Sequence, residues 1–351
     1  MGINEPTLEL TRDRMHMLLK GVVPEFEIDY KAGLVFQINQ LKKEKHAVIL
    51  GHNYMEPALF QTVPDIVGDS LQLSAEAAKS QAERIVFCGV RFMAETAKIL
   101  NPTRKVLLPA KVAGCSLAAS ITAADVRRLK AQYPGVPIVT YINTYADVKA
   151  EVDYCCTSSN AARIVKSIAS DTIIFLPDEY LGRNVAAETG KTVIVPKLDF
   201  KDGDKSNPPP KNSMVVWHGK CEVHERFTVD DIRLARAQYP GVVVVSHPEC
   251  HPDVVLASDY SSSTTKMVEF VRKSTARQFL ILTECSMGDN IMAENPDKEV
   301  LRICAIRCPH MNEITLEDTL LALQKDQYEI IVPEDIRVRA KASLERMLAV
   351  Q

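Results

Sequence analysis

Three times along the chain a short apolar run ends in polar residues: AVILGHNY at Ala47–Tyr54, VPIVTYIN at Val136–Asn143 and VVVVSHPE at Val242–Glu249. A loop follows each run, and then a hydroxyl-bearing turn that opens a helical pattern, as in SLQLSAEAAKS from Ser70. A second apolar run comes next (RIVFCG, TIIFLPD, FLILTE), then more helix, then a third run (KVLLP, TVIVP and, less clearly, EVLRICA). Runs of four to eight apolar residues alternating with helical periodicity predict α/β architecture, with parallel sheets covered by helices on both faces, one three-layer αβα sandwich per unit. The polar residues fall just past strand C-termini, the edge at which open α/β sheets bind ligands.

The pattern is a repeat. AQYPGVPIVTYINTYADVKAEVDYCCTSSNAARIV from Ala131 aligns without a gap on AQYPGVVVVSHPECHPDVVLASDYSSSTTKMVEFV from Ala237, 106 residues on. The two share AQYPG, the strand, an Asp-Tyr pair (Asp153-Tyr154, Asp259-Tyr260) and a hydroxyl turn. A weaker third copy runs through His52 to Gly68-Asp69-Ser70. The expected organisation is an N-terminal helical extension over 1–29, a first unit over 30–115 joined by C-terminal helices over 309–351, a second over 116–221, and a third over 222–308. Residues 199–212 (DFKDGDKSNPPPKN), rich in Pro, Lys and Asp, read as a surface insertion in the second unit. Two helices are expected between Thr315 and Val350, interrupted at Val332-Pro333.

Composition adds little until the cysteines are reached. The 351 residues are 46% apolar and 25% charged with net charge −3, which excludes disorder and gives no long-range attraction to nucleic acid or anionic membrane. The N-terminus carries acidic residues without an apolar signal core, and no apolar run approaches the roughly 18 residues of a membrane span, so the chain reads as cytoplasmic. In that compartment nine cysteines, an odd number, point to burial, metal ligation or catalysis rather than disulfides.

The repeat selects among them. Cys115 and Cys221 stand 106 residues apart, the repeat offset itself. From the strand-end residue the distances are 63 (His52 to Cys115), 80 (Tyr141 to Cys221) and 61 (His247 to Cys308). An insertion of about 17–19 residues in the middle unit levels them. One cysteine thus closes each unit at an equivalent place, and three units about a pseudo-threefold axis would bring three thiols together, a donor set for an iron–sulfur cluster or zinc. Cys88, Cys155, Cys156, Cys250 and Cys285 lack this relation and are assigned to core packing; Cys304 is left open.

GHNYMEP, GDSLQLS, FCGVRFMAETAKILNP, AGCSLA, YINTYADVKAEVDYCCTSSNA, FLPDEYLGRNV, WHGKCEVHE, SHPEC, SSSTTKM and CPHM together resemble the quinolinate synthase family from about Gly51 to Met311. The resemblance implies three αβα domains in pseudo-threefold arrangement, with the active site and cluster at their common interface. It also implies a [4Fe–4S] cluster on Cys115, Cys221 and Cys308 with one open iron, and condensation of iminoaspartate with dihydroxyacetone phosphate to quinolinate, losing phosphate and two waters. Functional coupling to an L-aspartate oxidase would belong to the same pathway. Where some relatives carry a CxxCxxC run this chain has CAIRCPHM, so a redox-switch disulfide of that kind is not expected.

The reaction needs proton transfers, and His52, Tyr54, His247 and Glu249 are the ionisable groups at the first and third strand ends. By resemblance Glu249 is the candidate general base, Tyr54 and His52 handle carbonyl and enol protons, and Tyr141 and Asn143 bind a substrate carboxylate. Ser70, Ser158 with Ser159, and Ser263 with Thr264 open helices, where N–H groups favour phosphate or carboxylate; taken singly, each is more readily read as a plain N-cap. His224 is expected beside the cluster or active site, and His218 is expected to be structural. Gly68-Asp69-Ser70-Leu71 lacks the downstream Asp-x-x-His of a GDSL esterase, and His247-Pro248-Glu249 lacks the Pro-Cys-x-x-Cys of zinc deaminases. Two rivals remain: a three-cysteine cluster enzyme similar to those of diphthamide synthesis, which needs a wide opening for a protein substrate, and a non-enzymatic iron–sulfur sensor.

Overall fold

The computed structural model describes residues 2–196 and 209–350. It contains three all-parallel sheets. The first is built from β1 (Ala47–His52), β2 (Ile66–Gly68), β3 (Arg84–Cys88) and β4 (Lys105–Leu107) in the order β2-β1-β3-β4. The second holds β5 (Ile138–Tyr141), β6 (Tyr154–Cys156), β7 (Thr172–Leu176), β8 (Thr192–Ile194) and β9 (Ser213–Val216) in the order β6-β5-β7-β9-β8. The third holds β10 (Val243–Ser246), β11 (Tyr260–Ser261), β12 (Gln278–Leu282) and β13 (Glu299–Arg302) in the order β11-β10-β12-β13. Central strands β3, β5, β7 and β12 are almost wholly buried, as strands covered by helices on both faces must be.

The Asp-Tyr pair has a structural cause, and the first unit shares it. Asp65, Asp153 and Asp259 each precede the edge strand of their sheet. The backbone N–H groups of Ile49, Ile138 and Val244 donate to their carboxylates, each at 2.8 Å. Each Asp N–H donates back to the same residue's carbonyl, at 2.8, 3.1 and 2.9 Å. This reciprocal clamp fixes the register of the edge strand three times over. The helices before β5 and β10 also match: Thr122 with Asp125 and Thr228 with Asp231 form capping boxes at the repeat offset. Gly135 and Gly241, at φ 78° and 88°, turn the chain from helix into strand in a left-handed conformation that a side chain resists.

One strand assignment needs correction. TVIVP was expected as the third strand of the second unit, yet β9 (SMVV) pairs with β7 in the place that β4 and β13 hold in the other sheets, and β8 is an added edge strand. β9 is buried along its whole length whereas β8 is partly exposed, so the central place goes to the less β-branched of the two segments. The insertion therefore includes β8. Of residues 199–212, those up to 208 lie outside the described residues.

The helix Glu25–Glu44 runs unbroken across position 30 and packs against the helix Leu316–Lys325. The last helix, Glu334–Ala349, lies on the second unit: Ser343 Oγ donates to the Lys149 carbonyl at 3.0 Å, and Asn160 Nδ2 donates to the Val350 carbonyl at 3.0 Å. Among the described residues no helix is long and apolar enough to cross a membrane.

Candidate active site and metal centre

The C-terminal ends of β1, β5 and β10 face one cavity, bringing His52, Tyr141 and His247 together from three sheets. Of the residues singled out in the sequence, Tyr54, Ser70, Asn143, Ser158, Glu249, Thr264, Cys115, Cys221 and Cys308 also line it. Ser263 does not: its hydroxyl lies 2.8 Å from Ser159 Oγ, which in turn lies 3.2 Å from Asp69 Oδ2. Thr265 Oγ1 accepts from Asp69 N at 3.0 Å, and Thr264 Oγ1 accepts from Asn53 Nδ2 at 2.8 Å. The hydroxyl turns thus tie the three units together, and Thr264 makes such a tie while also facing the cavity.

The three cysteines share a local geometry that spacing alone does not reveal. Each precedes a short helical turn, and each sulfur faces the N–H groups two and three residues on: Leu117 and Ala118 for Cys115, Val223 and His224 for Cys221, His310 and Met311 for Cys308. Such paired N–H groups favour a thiolate. Burial outweighs them in the metal-free chain, raising Cys115 to about 12, Cys308 to about 11 and Cys221 well above the ordinary range. A metal reverses that balance, because ligation removes the proton and neutralises the charge.

Glu249 is the hub of a hydrogen-bond network on the same cavity. The Tyr141 hydroxyl donates to its Oε1 at 2.5 Å and His224 Nδ1 lies 2.9 Å from its Oε2. Burial pushes the carboxyl up, but His224, His247 and the hydrogen bonds from His224 and Tyr141 outweigh it and hold the group well below the usual carboxylate range. His224 extends the network through Nε2, 2.8 Å from Thr283 Oγ1, which lies 2.6 Å from the Tyr54 hydroxyl. Burial lowers His52 to about 4 and His247 to about 3, so both are neutral imidazoles at neutral pH. Tyr54 and Tyr141 are pushed well above the ordinary phenol value by burial, aided by Glu249, and are donors. Asn143 Oδ1 is buried with no hydrogen-bond partner, an acceptor left for a ligand.

Asp69, Thr157 and Glu284 also line the cavity and were not singled out from the sequence as site residues. Burial raises Glu284 to about 7, and it accepts from the Cys308 N–H at 3.4 Å. His218 is exposed and rests against Trp217, away from the cavity. Cys88, Cys155, Cys156 and Cys250 are buried and free. Cys285 and Cys304 are joined in a disulfide, against the expectation of core packing for Cys285 and of no disulfides in general. β12 and β13 are parallel neighbours, so their C-terminal ends bring two cysteines 19 residues apart onto one edge, which an odd count of thiols does not preclude.

Three parallel αβα units place their strand ends, three equivalent thiols and a buried Tyr-Glu-His network around one cavity, an arrangement suited to an enzyme. Residues 36–349 match the family described as Quinolinate synthetase A protein. The chain is 46% identical to the quinolinate synthase of Sinorhizobium medicae over 98% of its own length and 89% of that protein's. It is 46% identical to quinolinate synthase 2 of Mesorhizobium japonicum over the whole of both, and 45% identical to the quinolinate synthase of Caulobacter vibrioides over 99% and 90%. The chain belongs to the quinolinate synthetase A family.

Proposed function

We propose that the chain is a quinolinate synthase of NAD biosynthesis, forming quinolinate from iminoaspartate and dihydroxyacetone phosphate with loss of phosphate and two waters. It would work in the cytoplasm, with an L-aspartate oxidase supplying the iminoaspartate. The observation that carries the reading is the set of three symmetric thiols on the cavity that also holds the Glu249 network.

Cys115, Cys221 and Cys308 fit an iron–sulfur cluster. They face the same cavity, each has two N–H groups to receive sulfur charge, and they do not form a compact single-ion set: the three ligand groups whose donor atoms lie within 4.8 Å of one another, among the described residues, are Cys221, His224 and Glu249. A [4Fe–4S] cluster on three cysteines supplies, at its open iron, a Lewis acid for dehydration.

The chain's own residues would bind and move protons. Asn143 Oδ1, Ser70, Ser158 and Thr264 offer polar groups to carboxylate or phosphate. Neutral His52 and His247 accept or donate without placing a fixed charge beside the anionic substrates. Glu249 is ionised but weakly basic while Tyr141 and His224 hold it; a substrate that draws either donor away restores its basicity at the carbon to be deprotonated. The test is direct. Anaerobically cluster-loaded protein, supplied with iminoaspartate and dihydroxyacetone phosphate, is expected to produce quinolinate, and absence of product from loaded protein would overturn the reading.

A further inference from the structure

The group Cys221, His224 and Glu249 contains one of the proposed cluster cysteines and two residues that are not cluster ligands. We propose that the metal-free chain holds a second, alternative site there, for a single zinc-class divalent cation. The site itself stands independently of the cluster; only its rivalry with the cluster rests on the proposed function.

The geometry is close to that of a metal site, with His224 Nδ1 near both other donors. His224 Nδ1 lies 3.1 Å from Cys221 Sγ and 2.9 Å from Glu249 Oε2, and all three donor atoms lie within 4.8 Å of one another. Tetrahedral zinc places sulfur, nitrogen and oxygen donors about 3.3–3.6 Å apart, so the two edges at His224 need to widen by only about half an ångström, and the Cys221–Glu249 edge, within 4.8 Å, closes by about an ångström at most. One thiolate, one imidazole and one carboxylate oxygen suit zinc and not the oxygen-seeking magnesium or calcium. His224 and Glu249 are 1% and 4% exposed, and the cavity leaves a fourth position for water.

The surroundings orient the donors. Thr283 Oγ1, 2.8 Å from His224 Nε2, can accept the Nε2–H and so present the Nδ1 lone pair to a cation. The Tyr141 hydroxyl holds the other oxygen of Glu249, and a cation between Oε2 and Nδ1 replaces the hydrogen bond between those two atoms, the imidazole proton moving to Nε2. On binding, the Cys221 thiol releases one proton to solvent; thiolate and carboxylate then balance the two charges of the ion. Cys221 cannot serve a zinc ion and a cluster at once, so each occupant excludes the other, and zinc would also capture Glu249.

The experiment titrates the whole chain, metal-free, reduced and anaerobic, with Zn²⁺ against a chromophoric chelator, and repeats it with Co²⁺ to read thiolate charge transfer and tetrahedral bands. One equivalent is expected, with a single thiolate. Cys115→Ala and Cys308→Ala should bind zinc within about twofold of the parent, whereas Cys221→Ala and His224→Ala should lose about 100-fold or more. If His224→Ala does not fold, Glu249→Gln carries the same expectation. Loss of affinity in Cys115→Ala or Cys308→Ala equal to that in Cys221→Ala would place zinc on the three cysteines and overturn the proposal, as would the absence of stoichiometric binding. Zinc-loaded chain supplied with iron and sulfide should stay colourless until zinc is chelated. Zinc-free chain that fails to take up a cluster would instead count against the cluster and leave the zinc site standing.

Discussion

The Tyr141 hydroxyl, at the end of one sheet, donates at 2.5 Å to Glu249, which follows the central strand of another. The bond couples two units through the group proposed to move a proton. Tyr141→Phe removes one of the donors that hold the carboxyl down, so the Glu249 pKa should rise toward the carboxylate range. The acidic limb of the kcat/KM profile should move to higher pH. Glu249→Gln should lower kcat by roughly 10²–10⁴-fold. An unchanged acidic limb in Tyr141→Phe would show that the pair does not set the profile.

Cluster ligation should follow the threefold geometry and not burial. Cys115→Ala, Cys221→Ala and Cys308→Ala should each abolish the brown chromophore of the anaerobically reconstituted protein, while Cys155→Ala and Cys285→Ala should keep it. Iron and sulfide analysis of the five variants checks this, and the reverse pattern would remove the cysteine assignment.

His52 and His247 should resist protonation. Their ordinary value is 6.5, and burial lowers them to about 4 and about 3. A base depressed by folding adds stability that is complete above its unfolded pKa and is lost as pH falls through the folded value. The metal-free chain should therefore lose stability between about pH 6.5 and pH 3. Imidazole proton shifts followed by NMR should stay in the neutral range down to about pH 4.5; midpoints near 6.5 for both rings would contradict their burial.

Lys149 is fully buried, and among the described residues no carboxylate pairs with its amine. It donates to the Ile142 carbonyl at 2.8 Å and to the Thr144 carbonyl, pinning the loop that carries Asn143. Lys149→Met keeps the bulk and takes the amine away from the Thr144 carbonyl, while the Ile142 carbonyl keeps the Thr144 N–H at 2.8 Å, at a cost on the order of 1–3 kcal/mol. Urea unfolding should show this as a lower midpoint with an unchanged slope, and a midpoint equal to the parent's would mean that the loop has another anchor.

Much of this architecture is legible in the sequence because each unit repeats its own physics. An Asp clamping an edge strand, a Gly turning helix into strand and a thiol before a short turn recur at 106 residues, and any one copy explains the others. What escaped is what repeats do not carry. SMVV was overlooked beside TVIVP because β-branched content reports local preference, while the sheet chooses by burial between two strands of the same unit. The Cys285–Cys304 pair and the Tyr141–Glu249–His224 chain join positions whose proximity depends on strand order or on packing between units. His224, three residues past a cysteine, gave only a hint of its central place.

The helix Glu334–Ala349 rests on the second unit although the third lies between them in the chain. On the ribosome the surface around Ser343's partners, Lys149 and Cys155, is therefore made long before its cover. At roughly 5–20 residues per second the delay is on the order of ten seconds or more. Through that interval the second unit has an uncovered flank, as does the Glu25–Glu44 helix that waits for Leu316–Lys325, and a chaperone would have both surfaces to shield.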